Sequence, residues 1–193
     1  MLPSIKYQFF GDAIEIALSV FMLCIVILVL TNTIYATIYK VANMPSAPQT
    51  RHAIIKDIQN RFMSRPDLLI YDLGSGWGGL CRKLAAADPS YTVKGFEISI
   101  IPYCVSKLMQ MVSLRHPYFI SRGDLFTVNM NDADVVICYL SPYHMDRVAL
   151  EIIPHMKSGS ILYSQGFPLH ERKADDVINV PLSIEKKIYR YDM

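Results

Sequence analysis

The sequence predicts an α/β protein with a doubly wound, Rossmann-like sheet of seven strands, preceded by one transmembrane helix. Three observations support this prediction. An apolar run at 68–73 ends in a glycine-rich turn that opens a helix, short apolar runs then alternate with helical segments, and the last two runs follow each other without a helix. Such alternation is typical of a mostly parallel sheet covered by helices, and the final pair of runs predicts a hairpin that closes it.

Composition limits the possible classes of protein. The chain has 193 residues, of which 52% are hydrophobic, and this length fits one domain with an appendage. The net charge is only +2, so charge gives no reason to expect nucleic acid as a partner. The four cysteines, at positions 24, 81, 104 and 138, form no C-x-x-C pair. We therefore expect reduced cysteines and no metal site.

The apolar excess is concentrated near the N-terminus, where residues 16–39 carry no charge. About 20 such residues cross a bilayer as a helix, which predicts a transmembrane helix over about 13–35 within an N-terminal segment 1–40. A buried core helix is one alternative, but such helices rarely run this long without a polar face. A cleaved signal peptide is the other, and Asp12 and Glu15 before the apolar run fit it poorly.

The flanking cations predict an orientation in the membrane. Residues 1–15 contain one Lys or Arg, whereas residues 40–65 contain five. The positive-inside rule then predicts a single-pass membrane protein whose C-terminal domain lies on the cytoplasmic side, or on the matrix side if the membrane is mitochondrial. The bilayer is thus an expected partner.

Residues 41–66 are predicted to form a linker and a leading helix before the main domain, 67–193. Two prolines and a lack of apolar periodicity indicate the linker, and Thr50 is a plausible N-cap for a helix over 51–63. Within the main domain the same reasoning predicts helices at 78–87, 101–114 and 145–156, and strands at 68–73, 91–97, 118–122, 133–139, 160–164, 177–180 and 184–191.

The glycine turn after the first strand predicts a cofactor site. Glycine tolerates positive φ and lets a ligand approach bare backbone, and the following helix directs free N–H groups at that ligand. Gly74, Gly76 and Gly79 satisfy G-x-G-x-x-G, which leaves a dinucleotide open as one interpretation. Asp72 precedes the glycines, and a carboxylate there can hold a ligand ammonium group through water or the loop backbone.

Two further acids favour S-adenosylmethionine over a dinucleotide. Glu97 ends the second strand, where a carboxylate can accept hydrogen bonds from ribose hydroxyls. Asp124 follows the third strand, where it can accept one from the adenine amino group. Structural roles are the alternatives: a turn cap for Asp72, a helix cap for Glu97 and an Asx turn for Asp124. The predicted cofactor-binding residues are Asp72, Gly74, Ser75, Gly76, Gly78, Glu97 and Asp124.

Three segments, 72–76, 95–97 and 123–126, resemble class I S-adenosylmethionine-dependent methyltransferases, and the resemblance extends over about 45–193. The chain more closely resembles a membrane-anchored family that includes the mitochondrial lysine methyltransferases of the adenine nucleotide translocase and of the ATP synthase c-subunit, with bacterial relatives. Shared features are the N-terminal helix, Tyr-Asp-Leu-Gly-Ser-Gly and a proline after the fourth strand. Where that family usually has Asp and then Gly-Arg, this chain has Trp77-Gly78-Gly79.

The resemblance implies methyl transfer beside the end of the fourth strand. We expect Tyr139, Ser141 and Tyr143 to line that space as catalytic residues, with His144 a weaker candidate for the base or an ordinary residue at a helix start. Trp77 is expected either to pack over the methionine part of the cofactor or to cap the sheet.

The domain has no insertion long enough for a lid, and an open site suits a large acceptor. The favoured hypothesis is a protein-lysine methyltransferase that acts on a membrane protein. A lipid or quinone methyltransferase with the same anchor, and a non-catalytic cofactor-binding module, are the alternatives.

Overall fold

The computed structural model describes residues 3–39, 45–113 and 115–193. Contacts between Cα atoms divide the chain into two compact units, an N-terminal helix that ends at Tyr39 and a C-terminal α/β unit. The start of the predicted linker, residues 41–44, and the predicted end of the second domain helix at Leu114 lie outside the described residues.

The N-terminal unit is a single helix, α1, from Pro3 to Tyr39, and it is longer than the predicted span. Its stretch Asp12–Thr31 is long and apolar enough to cross a membrane, with a mean hydropathy of 2.9 and no buried residues. The hydroxyl of Thr31 donates to the carbonyl oxygen of Ile27 at 2.7 Å. This local bond satisfies a polar group that an apolar environment would otherwise leave unpaired.

The C-terminal unit contains the predicted seven-stranded sheet, in the order β3-β2-β1-β4-β5-β7-β6. Strands β1 to β5 are parallel, and β7 is antiparallel to both β5 and β6, which confirms the terminal hairpin. The strands are β1 Leu69–Leu73, β2 Thr92–Glu97, β3 Phe119–Arg122, β4 Val135–Cys138, β5 Ile161–Gln165, β6 Asp176–Val180 and β7 Lys186–Asp192.

The central strand β4 is buried on both faces, as its continuous apolar run predicts. Val135 and Ile137 point into one core, whereas Val136 and Cys138 point into the other. In register, Leu73 of β1 lies between Phe96 of β2 and Cys138 of β4. The carboxyl ends of these three strands therefore meet at one edge of the sheet.

Four helices accompany the sheet: α2 Pro48–Arg61, α3 Gly79–Ala87, α4 Ile100–Val112 and α5 Pro142–Arg147. The prediction of one α-helix over 145–156 is wrong in both its start and its form. The observed helix α5 begins at Pro142, and after α5 the chain continues as a π-helical turn, Val148–Ile152, and a 3-10 turn. Pro154 has no N–H and its ring clashes with the carbonyl four residues earlier, which prevents a regular α-helix there.

The prediction that Thr50 caps the leading helix is also wrong. Helix α2 starts at Pro48, a favoured first helical residue, so Thr50 lies inside it and is fully buried. Its hydroxyl lies 2.6 Å from Oγ of Ser183 and donates to Oε2 of Glu185 at 2.9 Å. Because Ile54 of the same helix lies in the core, α2 is an integral part of the α/β unit, tied to the terminal hairpin.

Candidate functional site

The glycine turn after β1 bends over the end of β2. The N–H groups of Gly74 and Ser75 donate to the carbonyl oxygen of Phe96 at 2.9 and 3.0 Å. Gly76 has a φ of +54°, and a Cβ at that position would meet nothing within 4 Å. The turn therefore presents bare backbone to an open space, as a site for close ligand approach requires.

This space is a cleft that is partly open to solvent. It lies where the strand order reverses between β1 and β4, which is where open α/β sheets bind ligands. Its lining includes five of the predicted residues, Asp72, Gly74, Ser75, Gly76 and Glu97, together with Tyr139 and Trp77.

Glu97 lies at the end of β2 and is almost fully buried. Its Oε2 accepts a hydrogen bond from the N–H of Gly76 at 2.8 Å, and its Oε1 accepts one from the N–H of Ser99 at 2.7 Å. A carboxylate has about four lone-pair sites, so each oxygen can accept one more bond from a ligand. Glu97 thus both shapes the glycine turn and offers acceptors to the cleft.

Asp72 is buried beneath the turn, with 4% of its surface exposed. Its pKa is raised to about 7. Burial is the largest cause of this rise and the nearby charge of Glu97 adds to it, whereas the hydrogen bond from Sγ of Cys81 at 3.3 Å and the charge of Arg51 oppose it. The carboxyl group is therefore poised to lose its proton near neutral pH, when a cationic ligand group would stabilise the anion.

Two polar groups in the lining lack hydrogen-bond partners among the described residues. They are Oγ of Ser75 and Nε of Arg51, and both atoms are buried. Buried polar atoms are normally paired, so these two indicate groups that a ligand would satisfy. Arg51 belongs to α2 and, with Pro45, Ser46 and Pro102, was absent from the site that the sequence predicts.

Gly78 and Asp124 do not line the cleft. Gly78 precedes α3 with a φ of +72°, and a Cβ there would lie 3.0 Å from Cβ of Ser106 on α4, so this glycine permits close helix packing. Asp124 is exposed, and its Oδ1 accepts from the N–H of Phe126 at 3.0 Å, as in an Asx turn. Its role in binding adenine stays a prediction.

Of the three predicted catalytic residues, only Tyr139 lines the cleft. Burial raises the pKa of its phenol, and the charge of Glu185 adds to this effect. Ser141 precedes α5, and its Oγ lies 3.0 Å from Nδ1 of His144. Tyr143 is 60% exposed and packs edge-on against the ring of His144. Ser141 and Tyr143 are therefore not part of the lining of the cleft.

Among the described residues no group of three or more His, Cys, Asp or Glu side chains could hold a metal ion. The chemistry of the cleft rests on carboxylates, a phenol, a guanidinium group and bare backbone.

Comparisons with known proteins agree with this geometry. The family model described as the ANTKMT methyltransferase domain matches residues 72–176, which is more than half of the chain. Comparison with curated proteins finds no match.

Three solved structures are similar to this chain to different extents. An RNA methyltransferase from Salinibacter ruber, in complex with S-adenosyl-L-homocysteine, has a TM-score of 0.65 and 19% identity, and the alignment covers 77% of this chain and 92% of that one. A putative sarcosine dimethylglycine methyltransferase from Galdieria sulphuraria has a TM-score of 0.51 and 15% identity, with 60% and 44% covered. A putative S-adenosyl-L-methionine-dependent methyltransferase from Methanococcus maripaludis has a TM-score of 0.49 and 26% identity, and the alignment covers 58% of this chain and 53% of that one. The chain thus spans about half the length of the latter two.

Proposed function

Because the chain belongs to the ANTKMT methyltransferase family and is an S-adenosylmethionine-dependent methyltransferase, we propose that it methylates a lysine side chain of a membrane protein. The observation that carries this proposal is the combination, in one chain, of the methyltransferase domain with a helix that is long and apolar enough to cross a bilayer. A membrane anchor raises the effective concentration of membrane-embedded acceptors near the site.

The residues of the cleft fit the cofactor. The bare backbone at Gly76 faces open space that admits a bulky ligand, and the unpaired hydroxyl of Ser75 offers it a hydrogen bond. We assign the ribose hydroxyls to Glu97 and the ammonium group to Asp72, whose raised pKa falls when a cation binds beside it. The carboxylate oxygen of Asp124 that does not cap the turn is assigned to the adenine amino group.

S-Adenosylmethionine supplies an activated methyl group, so the protein mainly has to position the acceptor and exclude water. A lysine amine must lose its proton before it attacks, and a partly desolvated cleft favours this by lowering the amine pKa. The raised pKa of Tyr139 keeps its phenol protonated at neutral pH, so we assign Tyr139 to orienting the amine rather than to removing its proton.

The cleft is partly open to solvent, which leaves access for one side chain of a macromolecular acceptor. Ser141 and Tyr143 lie at the start of α5 and follow Tyr139 closely in sequence, so we assign them to contacts with a protein substrate. The distribution of cations around α1 supports placing the domain on the cytoplasmic or matrix side of the membrane. The proposed partners are thus the bilayer and a membrane protein, and nucleic acid is not among them.

The test is a transfer assay with radiolabelled S-adenosylmethionine and membranes that contain the full chain. We expect label in protein that resists lipid extraction and that yields methyllysine on hydrolysis. The matched control is the same preparation with Glu97→Ala, which should incorporate little label. Label confined to the lipid extract would instead identify a lipid or quinone methyltransferase, and retained cofactor binding without any label would indicate a non-catalytic module.

A further inference from the structure

Arg51 is a cation in the wall of the cleft, and it forms no ion pair in the described part of the chain. It lies in the first turns of α2, which is held in place by the buried side chains of Ile54 and Ile58. Tyr163 also fixes this helix, since its hydroxyl donates to Oδ2 of Asp57 at 2.7 Å. The backbone that carries Arg51 is therefore rigid.

The guanidinium group uses few of its donors. Its Nη2 donates to the carbonyl oxygen of Ser46 at 2.5 Å, and its Nε is buried without a hydrogen-bond partner among the described residues. Arginine has five N–H donors in a fixed fork, so most of this fork is unused. An arginine that only held the loop at Ser46 would have no reason to bury its Nε in the lining of a cleft.

The guanidinium lies against Gly79, the first residue of α3. A Cβ at position 79 would be 2.8 Å from Nη1 of Arg51, so a side chain there would displace the guanidinium group from its present position. The N-terminus of α3 carries the positive end of the helix dipole, which disfavours a neighbouring cation. Both the guanidinium group and the helix N-terminus become favourable when an anion binds beside them in the cleft.

The required anion is not supplied by the neighbouring acid. The charge of Arg51 lowers the pKa of Asp72, but the two side chains form no ion pair in the described structure, and Asp72 retains a pKa of about 7. A ligand with a carboxylate and an ammonium group on one carbon would complement Arg51 and Asp72 together. The methionine part of the cofactor has both groups.

We propose that Arg51 binds the α-carboxylate of the methionine part of S-adenosylmethionine, while the ammonium group lies towards Asp72. This inference rests on the cofactor assignment but not on the identity of the methyl acceptor. It makes Arg51 a determinant of cofactor affinity contributed by the helix that precedes the sheet, outside the glycine motif.

The test compares two ligands by titration calorimetry on the full chain in detergent. One is S-adenosylhomocysteine, and the other is its decarboxylated analogue, which lacks only the carboxylate. We expect Arg51→Gln to weaken the binding of S-adenosylhomocysteine by about tenfold to a hundredfold, because it removes a hydrogen bond between charged groups. The analogue should bind equally to the variant and the unmodified protein, within about twofold.

The matched control is Lys56→Gln, which removes an exposed cation from the same helix and should change neither affinity. Arg51→Lys keeps the charge but loses the fork, and it should retain part of the preference for the carboxylate-bearing ligand. That variant also carries the test if Arg51→Gln does not fold.

Equal weakening of both ligands by Arg51→Gln would overturn the inference, because it would show that Arg51 only shapes the site. An unchanged affinity for S-adenosylhomocysteine would overturn it as well. If the unmodified protein bound neither ligand, the cofactor assignment itself would fail, and this result is distinct from the other two.

Discussion

Replacing Asp72 with asparagine should stabilise the cofactor-free protein at neutral and alkaline pH while it weakens cofactor binding. The side chain lies at the end of β1, almost fully buried, and burial raises its pKa from the usual 3.8 to about 7. Between these two values the native state holds a proton that the unfolded state has lost. The free energy of unfolding therefore falls as the pH rises through this window and stays low above it.

The size of the effect follows from the two pKa values. A difference between 3.8 and about 7 corresponds to an upper value of about 4 kcal/mol in unfolding free energy. Asparagine stays neutral at every pH and has nearly the same shape, so the variant should lack this fall. The difference in unfolding free energy between Asp72→Asn and the unmodified protein should be smallest near pH 4, grow with pH, and level off above about pH 7.

Urea unfolding of the full chain in detergent, followed by the fluorescence of the single tryptophan Trp77 in the cleft, measures this difference. Asp67→Asn, at an exposed position, is the control and should leave the pH dependence unchanged. Calorimetry should show that Asp72→Asn binds S-adenosylhomocysteine at least about tenfold more weakly, through loss of the ammonium partner. Parallel stability curves for Asp72→Asn and the unmodified protein between pH 4 and pH 8 would show that the carboxyl group of Asp72 is not protonated in the native state near neutral pH.

Three further substitutions test other parts of the account. Glu97→Ala should weaken S-adenosylhomocysteine binding by about 1 kcal/mol or more in calorimetry, because it leaves buried donors unpaired; an unchanged affinity would contradict the assignment. Thr50→Val should lower the unfolding free energy by about 1–3 kcal/mol through loss of its buried hydrogen bonds, whereas Thr127→Val, at an exposed bond, should cost less than about 0.5 kcal/mol. Tyr139→Phe should lower kcat by about tenfold with cofactor affinity unchanged. Its control is Tyr91→Phe, which lies just before β2 at the amino ends of the parallel strands and should change neither kcat nor cofactor affinity. Equal effects of the two substitutions would argue against a role for Tyr139.

Features fixed by neighbouring residues could be predicted from the sequence. The apolar run of β1, the glycine turn and the acid at the end of β2 each follow from a short local pattern, and the structure brings Asp72, Gly76 and Glu97 into one cleft. The continuous apolar run of β4 predicts a central strand for the same reason. The terminal hairpin follows because no helical segment separates the last two strands.

Features that depend on distant contacts could not be predicted. Threonine is a residue type that favours the N-cap position, but the hydroxyl of Thr50 donates a hydrogen bond to Glu185 on the terminal hairpin, 135 residues away in sequence. Arg51 has no local signal at all, since its place in the cleft depends on how α2 packs against the sheet.

The packing of α2 also accounts for part of the departure at Trp77-Gly78-Gly79. A glycine at position 79, where the resembled family has arginine, leaves the space that the guanidinium of Arg51 fills. The structure places Trp77 in the lining of the cleft but does not explain why tryptophan stands there.

Mass spectrometry of integral membrane proteins from cells with and without this chain tests the proposed activity directly. We expect at least one membrane protein with a methylated lysine that is present with the chain, absent without it, and absent when only the Glu97→Ala variant is supplied. Identical lysine methylation in all three membrane preparations would contradict the claim that this enzyme methylates a membrane protein.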